Sequence, residues 1–173
     1  MANPRILFDF IRNWEGGWSN HPKDKGGKTN MGITLGTWKS CGYDKDGDGD
    51  IDADDLKLIT VEDVYNLFYR YYWNRWKADQ IKSQSVANIV VDWVWTSGAP
   101  GIKRVQKLLN VTADGLVGTK TIYALNAANP RGLFDAIKAD RLKFIDEVCA
   151  RDTTQLVFRR GWINRVNDIQ YKG

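Results

Sequence analysis

Glu15 is followed directly by Gly16 and Gly17 and flanked by Trp14 and Trp18. Upstream, Ile6, Leu7, Phe10, Ile11 and Trp14 fall on one face of a helix that Asn3 can cap and Pro4 can open. The two glycines stop that helix, so Glu15 sits at its C-terminal end. A carboxylic acid at the negative end of a helix dipole and beside aromatic rings has the setting of a proton donor to a glycosidic oxygen. Asp24 and Thr29 follow across a stretch containing Gly26 and Gly27, where the backbone can fold back toward Glu15. A carboxylate and a hydroxyl there can hold and activate a water. A separation wide enough to admit that water leads to inversion. His21 is the single histidine, lacks the partners a metal site needs, and reads as an exposed loop residue.

A second constellation runs from Asp44 to Asp55. Asp44, Asp46 and Asp48 occupy the first, third and fifth positions of a calcium loop, and Gly49 the sixth, where the chain must turn sharply. Asp50 supplies a backbone carbonyl, Ile51 is the apolar eighth residue, Asp52 is ninth and Asp55 twelfth. The twelfth residue is Asp where such loops usually carry Glu. Alternation lets oxygens converge on a hard cation; without one, seven carboxylates in twelve residues repel one another. The expected cofactor is a structural Ca²⁺ bound by Asp44, Asp46, Asp48, Asp50, Asp52 and Asp55.

The elements that must position these groups are helical. Leu35 to Ser40 forms a short helix. Thr60 caps a helix through Val64, Leu67, Phe68, Tyr71 and Tyr72, and Ser85 caps a buried central helix ending at Gly98. Further helices are expected from Pro100, around Thr119 to Ala127, Pro130 to Ala150 and Thr154 to Ile169. Trp18 to Thr34 has no helical period and reads as loops or a short β-ribbon. Tyr69, Tyr72, Trp73 and Trp76 have the spacing of a packing stripe, and Trp73 or Trp76 at its edge could stack on a sugar.

The chain has 173 residues and a net charge of +4, unevenly spread. The segment from Asp44 to Asp55 holds seven of the 21 acidic residues and one of the 25 basic ones, so the remainder carries a net +10. That basic body suits an anionic polymer. The basic residues form no single run and no reader motif occurs, which ranks a nucleic-acid binder last among the readings. Cys41 and Cys149 are far apart and read as free thiols. No stretch is long enough to span a membrane, and the N-terminus does not read as a signal peptide. Synthesis in the cytoplasm is expected, with action outside it depending on another factor for release.

The run Trp14-Glu15-Gly16-Gly17-Trp18-Ser19-Asn20, then Pro22, Asp24, Gly26-Gly27, Thr29, Asn30 and Gly32-Ile33-Thr34, resembles the signature of glycoside hydrolase family 108. These are phage and bacterial N-acetylmuramidases, some labelled secretion activator proteins. The resemblance implies that Glu15 is the catalytic acid, with Asp24 and Thr29 beside it. The order Glu, Asp, Thr is also similar to phage-type lysozymes, although the Asp-to-Thr gap there is usually five residues and here is four. Asp114-Gly115-Leu116-Val117-Gly118-Thr119-Lys120-Thr121 and Arg159 to Val166 are similar to the family's predicted peptidoglycan-binding region. The implied fold is mainly α, a lysozyme-like helical bundle with a small β-ribbon near the active site and an inserted calcium loop. Residues 1–97 would form the catalytic region and residues 98–173 the binding region, packed as one monomeric body. The implied activity is hydrolysis of the β-1,4 bond between N-acetylmuramic acid and N-acetylglucosamine in peptidoglycan, with Trp18, Trp73 and Trp76 as candidate sugar contacts. A lytic transglycosylase, a non-catalytic wall-binding or secretion-regulating protein, and a calcium-dependent interaction module are the competing readings.

Overall fold

The computed structural model describes residues 1–20 and 27–173. Helix α1 spans Pro4–Trp14, and the Asn3 side chain accepts from the Arg5 amide at its start. A two-stranded antiparallel ribbon follows, β1 (Thr29–Asn30) and β2 (Ile33–Thr34), then α2 (Leu35–Cys41), α3 (Ala53–Leu58) and α4 (Val61–Phe68). Thr60 and Asp63 close a reciprocal cap on α4, each side chain bonding the other residue's backbone N–H.

The regular α-helix stops at Phe68. Tyr69–Trp73 continues as one π-helical turn, and two short 3₁₀ turns follow at Asn74–Trp76 and Ala78–Gln80. The aromatic stripe read from the sequence is thus split between helix types. Lys77 adopts a left-handed conformation, φ 49°, between the two 3₁₀ turns.

The remaining helices are α5 (Gln84–Ser97), α6 (Ala99–Leu108), α7 (Thr119–Ala127), α8 (Pro130–Arg151) and α9 (Leu156–Asp168). The cap of α5 is Ser83, not Ser85. The Ser85 hydroxyl is instead buried and exchanges hydrogen bonds with the Lys172 backbone, donating to its carbonyl and accepting from its N–H.

Two compact units emerge. One is the continuous stretch Phe8–Tyr71; the other joins Met1–Leu7 to Tyr72–Gly173. Helix α5, which the sequence reading grouped with the catalytic region, therefore lies in the same unit as residues 98–173. It is that unit's centre, with Val86, Ala87, Ile89, Val90, Val91, Trp93 and Val94 all buried. Asp92, in its middle, is 0% exposed and is shared by two guanidiniums: Arg141 of α8 at 2.9 Å and Arg165 of α9 at 2.7 Å. Burial pushes the Asp92 carboxyl up, but the charges of Arg165 and Arg141 outweigh it and hold the carboxyl below its usual range.

In the continuous unit, Phe8 packs edge-on against Tyr65 and beside Phe68, fixing α1 to α4. No described helix is long and apolar enough to cross a membrane. Cys41 and Cys149 are both free, as expected.

Candidate active site

Glu15 is the first residue beyond α1, and its backbone N–H still donates to Ile11 in helical register. The ribbon is built to meet it. Its turn, Met31–Gly32, has both central residues at positive φ, 48° and 81°, the geometry of the tight hairpin turn that matches strand twist. Glycine tolerates this conformation freely; Met31 does so at a cost in backbone strain. Gly32 is also where the Glu15 side chain rests. A Cβ built there would stand 2.6 Å from Cδ, 2.7 Å from Cγ and 2.8 Å from Oε2 of Glu15. The missing side chain is thus the space the carboxyl group occupies.

Asn30, buried beside the turn, anchors it. Its side-chain amide donates to the carbonyls of Leu56 (2.8 Å) and Lys57 (3.4 Å) at the end of α3. The ribbon's other end is tied by paired backbone bonds between Ser19 and Thr29, both 2.8 Å. Glu15 lines a pocket of about 180 Å³ with Arg12, Met31, Val61, Val64 and the backbone of Gly16 and Gly17. A larger cavity of about 280 Å³, walled by Trp93, Phe144, Trp162 and the two guanidiniums that hold Asp92, contains none of the candidate catalytic or metal-binding residues.

Thr29 lies half-buried on β1, paired with Thr34. Asp24 and His21 lie outside the described residues. Trp18 is 42% exposed, with the Lys57 ammonium 5.4 Å from its ring centroid. Trp73 and Trp76 do not meet the expectation of sugar contacts: both are 0% exposed. The Trp73 indole N–H is committed to Asp79 at 2.8 Å. Neither ring has a face to offer a ligand, so these two members of the stripe are core. Arg12, which the sequence reading passed over, shares the Glu15 pocket; its spacing of three from Glu15 on a helix was the available signal.

The acidic loop folds on itself through its own carboxylates. Asp44 accepts from the amides of Gly47 and Gly49, and Asp55 from those of Lys45, Asp46 and Asp52. Gly47 and Gly49 take positive φ values of 81° and 99°, which the sharp turn demands. Carboxylate oxygens of Asp44, Asp46 and Asp48 lie within 4.8 Å of one another, as do those of Asp50, Asp52 and Asp55. The Asp48 charge pushes the Asp50 carboxyl up, whereas backbone amides, that of Asp52 foremost, hold Asp55 down. Hard oxygen donors on a turning backbone are the donor set calcium takes.

In the other unit, the Asp114–Thr121 pattern is organised by buried Gln106. Its amide nitrogen donates to Asp114 and to the Leu116 carbonyl, both at 3.0 Å, and its oxygen accepts from the Gly115 N–H at 2.9 Å. These residues shape a turn ahead of α7, leaving Leu116 and Tyr123 exposed.

The chain matches the family described as Glycosyl hydrolase 108 over residues 8–98 and the Predicted Peptidoglycan domain over residues 100–167. A solved structure, that of Brucella abortus SagA, is similar with a TM-score of 0.82 and 28% identity, over 96% of this chain and 90% of that one. No curated protein sequence matches. The fold is mainly helical and lysozyme-like, as the sequence implied, and peptidoglycan is the polymer that the second matched region concerns. The chain belongs to glycosyl hydrolase family 108 and is a cell-wall glycoside hydrolase.

Proposed function

We propose that the protein is an N-acetylmuramidase that cleaves the β-1,4 bond between N-acetylmuramic acid and N-acetylglucosamine, with Glu15 as the general acid. The observation that carries this reading is the seat of Glu15: a carboxyl group resting on a glycine at the wall of a pocket, within the span that matches the family. Such a seat fixes where the proton is delivered, which is worth as much as the acid itself. Glu15 protonates the bridging oxygen as the C–O bond to the muramic anomeric carbon breaks, and water adds to that carbon. In this reading Asp24 holds the water, Thr29 supplies a hydroxyl, and Trp18 offers an exposed ring to the glycan. The basic body draws the enzyme onto the anionic wall.

The test is product mass from purified murein with wild type and Glu15→Gln. Reducing muramic ends from wild type, absent with Glu15→Gln, support the reading. Anhydromuramic ends would make the protein a lytic transglycosylase, and binding without cleavage by either protein would remove the catalytic claim. We also propose that residues 44–55 hold one structural Ca²⁺. Calcium would neutralise part of the loop's crowded charge and stiffen the start of α3. A melting temperature unchanged by millimolar calcium after chelation would refute it.

A further inference from the structure

We propose that Arg12 reads the negative charge of the substrate, holding a carboxylate carried on the lactyl arm of muramic acid beside the bond that Glu15 protonates. The inference rests on the muramidase reading above. Arg12 and Glu15 are three residues apart at the end of α1, so both side chains leave the same helix face. Both line the same pocket. The other described side chains of that pocket, Phe8, Met31, Val61 and Val64, are uncharged, so Arg12 is its one cation among the described residues. Arg12 is exposed and makes no hydrogen bond or ion pair among the described residues. Its five N–H donors, arranged as a rigid fork that fits a carboxylate, are available to a ligand.

The substrate supplies the matching group. Murein alternates two sugars through chemically similar β-1,4 bonds. N-acetylglucosamine is neutral, whereas muramic acid bears a lactyl ether that ends in a carboxyl group. On peptide-free strands that carboxylate is free; in intact murein it continues into the stem peptide, whose acidic residues carry the charge. A pocket without charge would accept both bond types in turn. A cation one turn from the acid fixes the frame, so that the sugar bearing the arm sits on one defined side of Glu15. Arg12 is thereby a specificity-determining residue. The simpler role for an arginine in the last turn of a helix is to favour the negative end of the dipole. That role acts on stability and is blind to the charge of the substrate.

The experiment uses the full chain as wild type, Arg12→Gln, Arg12→Lys and Glu15→Gln. The substrates are intact murein and peptide-free glycan strands, each native and with its carboxylates converted to neutral methylamides. The expected wild-type result is a kcat/KM about tenfold higher on native than on neutralised substrate, the scale of one charge-assisted hydrogen bond at a partly exposed site. Arg12→Gln should fall to the wild-type rate on neutralised substrate and lose the preference, with an unchanged melting temperature, while Arg12→Lys keeps part of it. Preference on peptide-free strands identifies the lactyl carboxylate; preference confined to intact murein identifies the stem's. Equal losses on native and neutralised substrate, or no loss, overturn the proposal. Full activity in Glu15→Gln would instead sink the muramidase reading, whatever Arg12 does.

Discussion

Replacing Gly32 by alanine separates the seat of Glu15 from the fold that carries it. The new Cβ would lie 2.6 Å from the carboxyl carbon, well inside ordinary contact, so that carbon must retreat by about 0.8 Å. The group it meets is the free end of a flexible side chain, so the carboxyl moves before the ribbon does. The left-handed φ of 81° adds a backbone cost of about 1–2 kcal/mol. That is a minor part of a typical domain's stability of roughly 5–15 kcal/mol, so the protein stays folded. A displacement near 1 Å at a reacting group costs about 100-fold in rate. The expected result is a fall in kcat on murein of that order, with a melting temperature lowered by only a few degrees. Gly161→Ala serves as the control. It lies in α9 with open space around its Cβ position, and should stabilise by about 0.5–1 kcal/mol without changing kcat. Gly32→Ala with kcat within twofold of wild type would show that the position of the carboxyl against the turn does not matter to turnover.

Two further outcomes follow from the ion pairs. Burial pushes the Asp63 carboxyl up, but the Lys45 ammonium at 2.8 Å, the Thr60 N–H and hydroxyl and the Tyr43 hydroxyl outweigh it and hold it at about 2. A folded pKa below the unfolded one means stability that is present above about pH 4 and lost as pH falls through about 2. The urea midpoints of wild type and Asp63→Asn should therefore differ at pH 5 and converge toward pH 2; a gap independent of pH contradicts the assignment. Asp92→Ala leaves two buried guanidiniums facing each other and should cost about 3–5 kcal/mol by urea denaturation. A loss under about 1 kcal/mol would mean that water or a rearranged partner replaces the carboxylate.

Much of the site was legible because it is local. Helix periodicity and two glycines placed Glu15 at the end of α1, and the Gly-rich polar stretch marked the ribbon. The role of Gly32 was not legible, since it depends on a turn 17 positions away folding back over the acid. The anchoring role of Asn30 was likewise not legible, since it depends on carbonyls near the end of α3, 26 and 27 positions along the chain. Trp73 and Trp76 illustrate the converse limit. Spacing says that aromatics share a face, but only three-dimensional packing says whether that face is covered. The Asp92 network was invisible for the same reason: its arginines lie 49 and 73 positions along the chain.

The way the chain divides has a consequence for the order in which it folds. The described residues that line the Glu15 pocket and the turn it rests on fall within the continuous stretch Phe8–Tyr71. The other unit closes only when distant segments meet: the Asn3 amide on Gln84, 81 positions away, and Ser85 on Lys172, 87 positions away. Short loops close at a smaller entropic cost than long ones, and a growing chain presents its early segments first. The cradle of the acid can therefore form on the ribosome while α8 and α9 are still being synthesised. Pulse-labelled hydrogen exchange during refolding should find the ribbon amides of Thr29 and Leu35 protected before those of Asn3 and Lys172. Simultaneous protection would mean that the two units fold as one cooperative step.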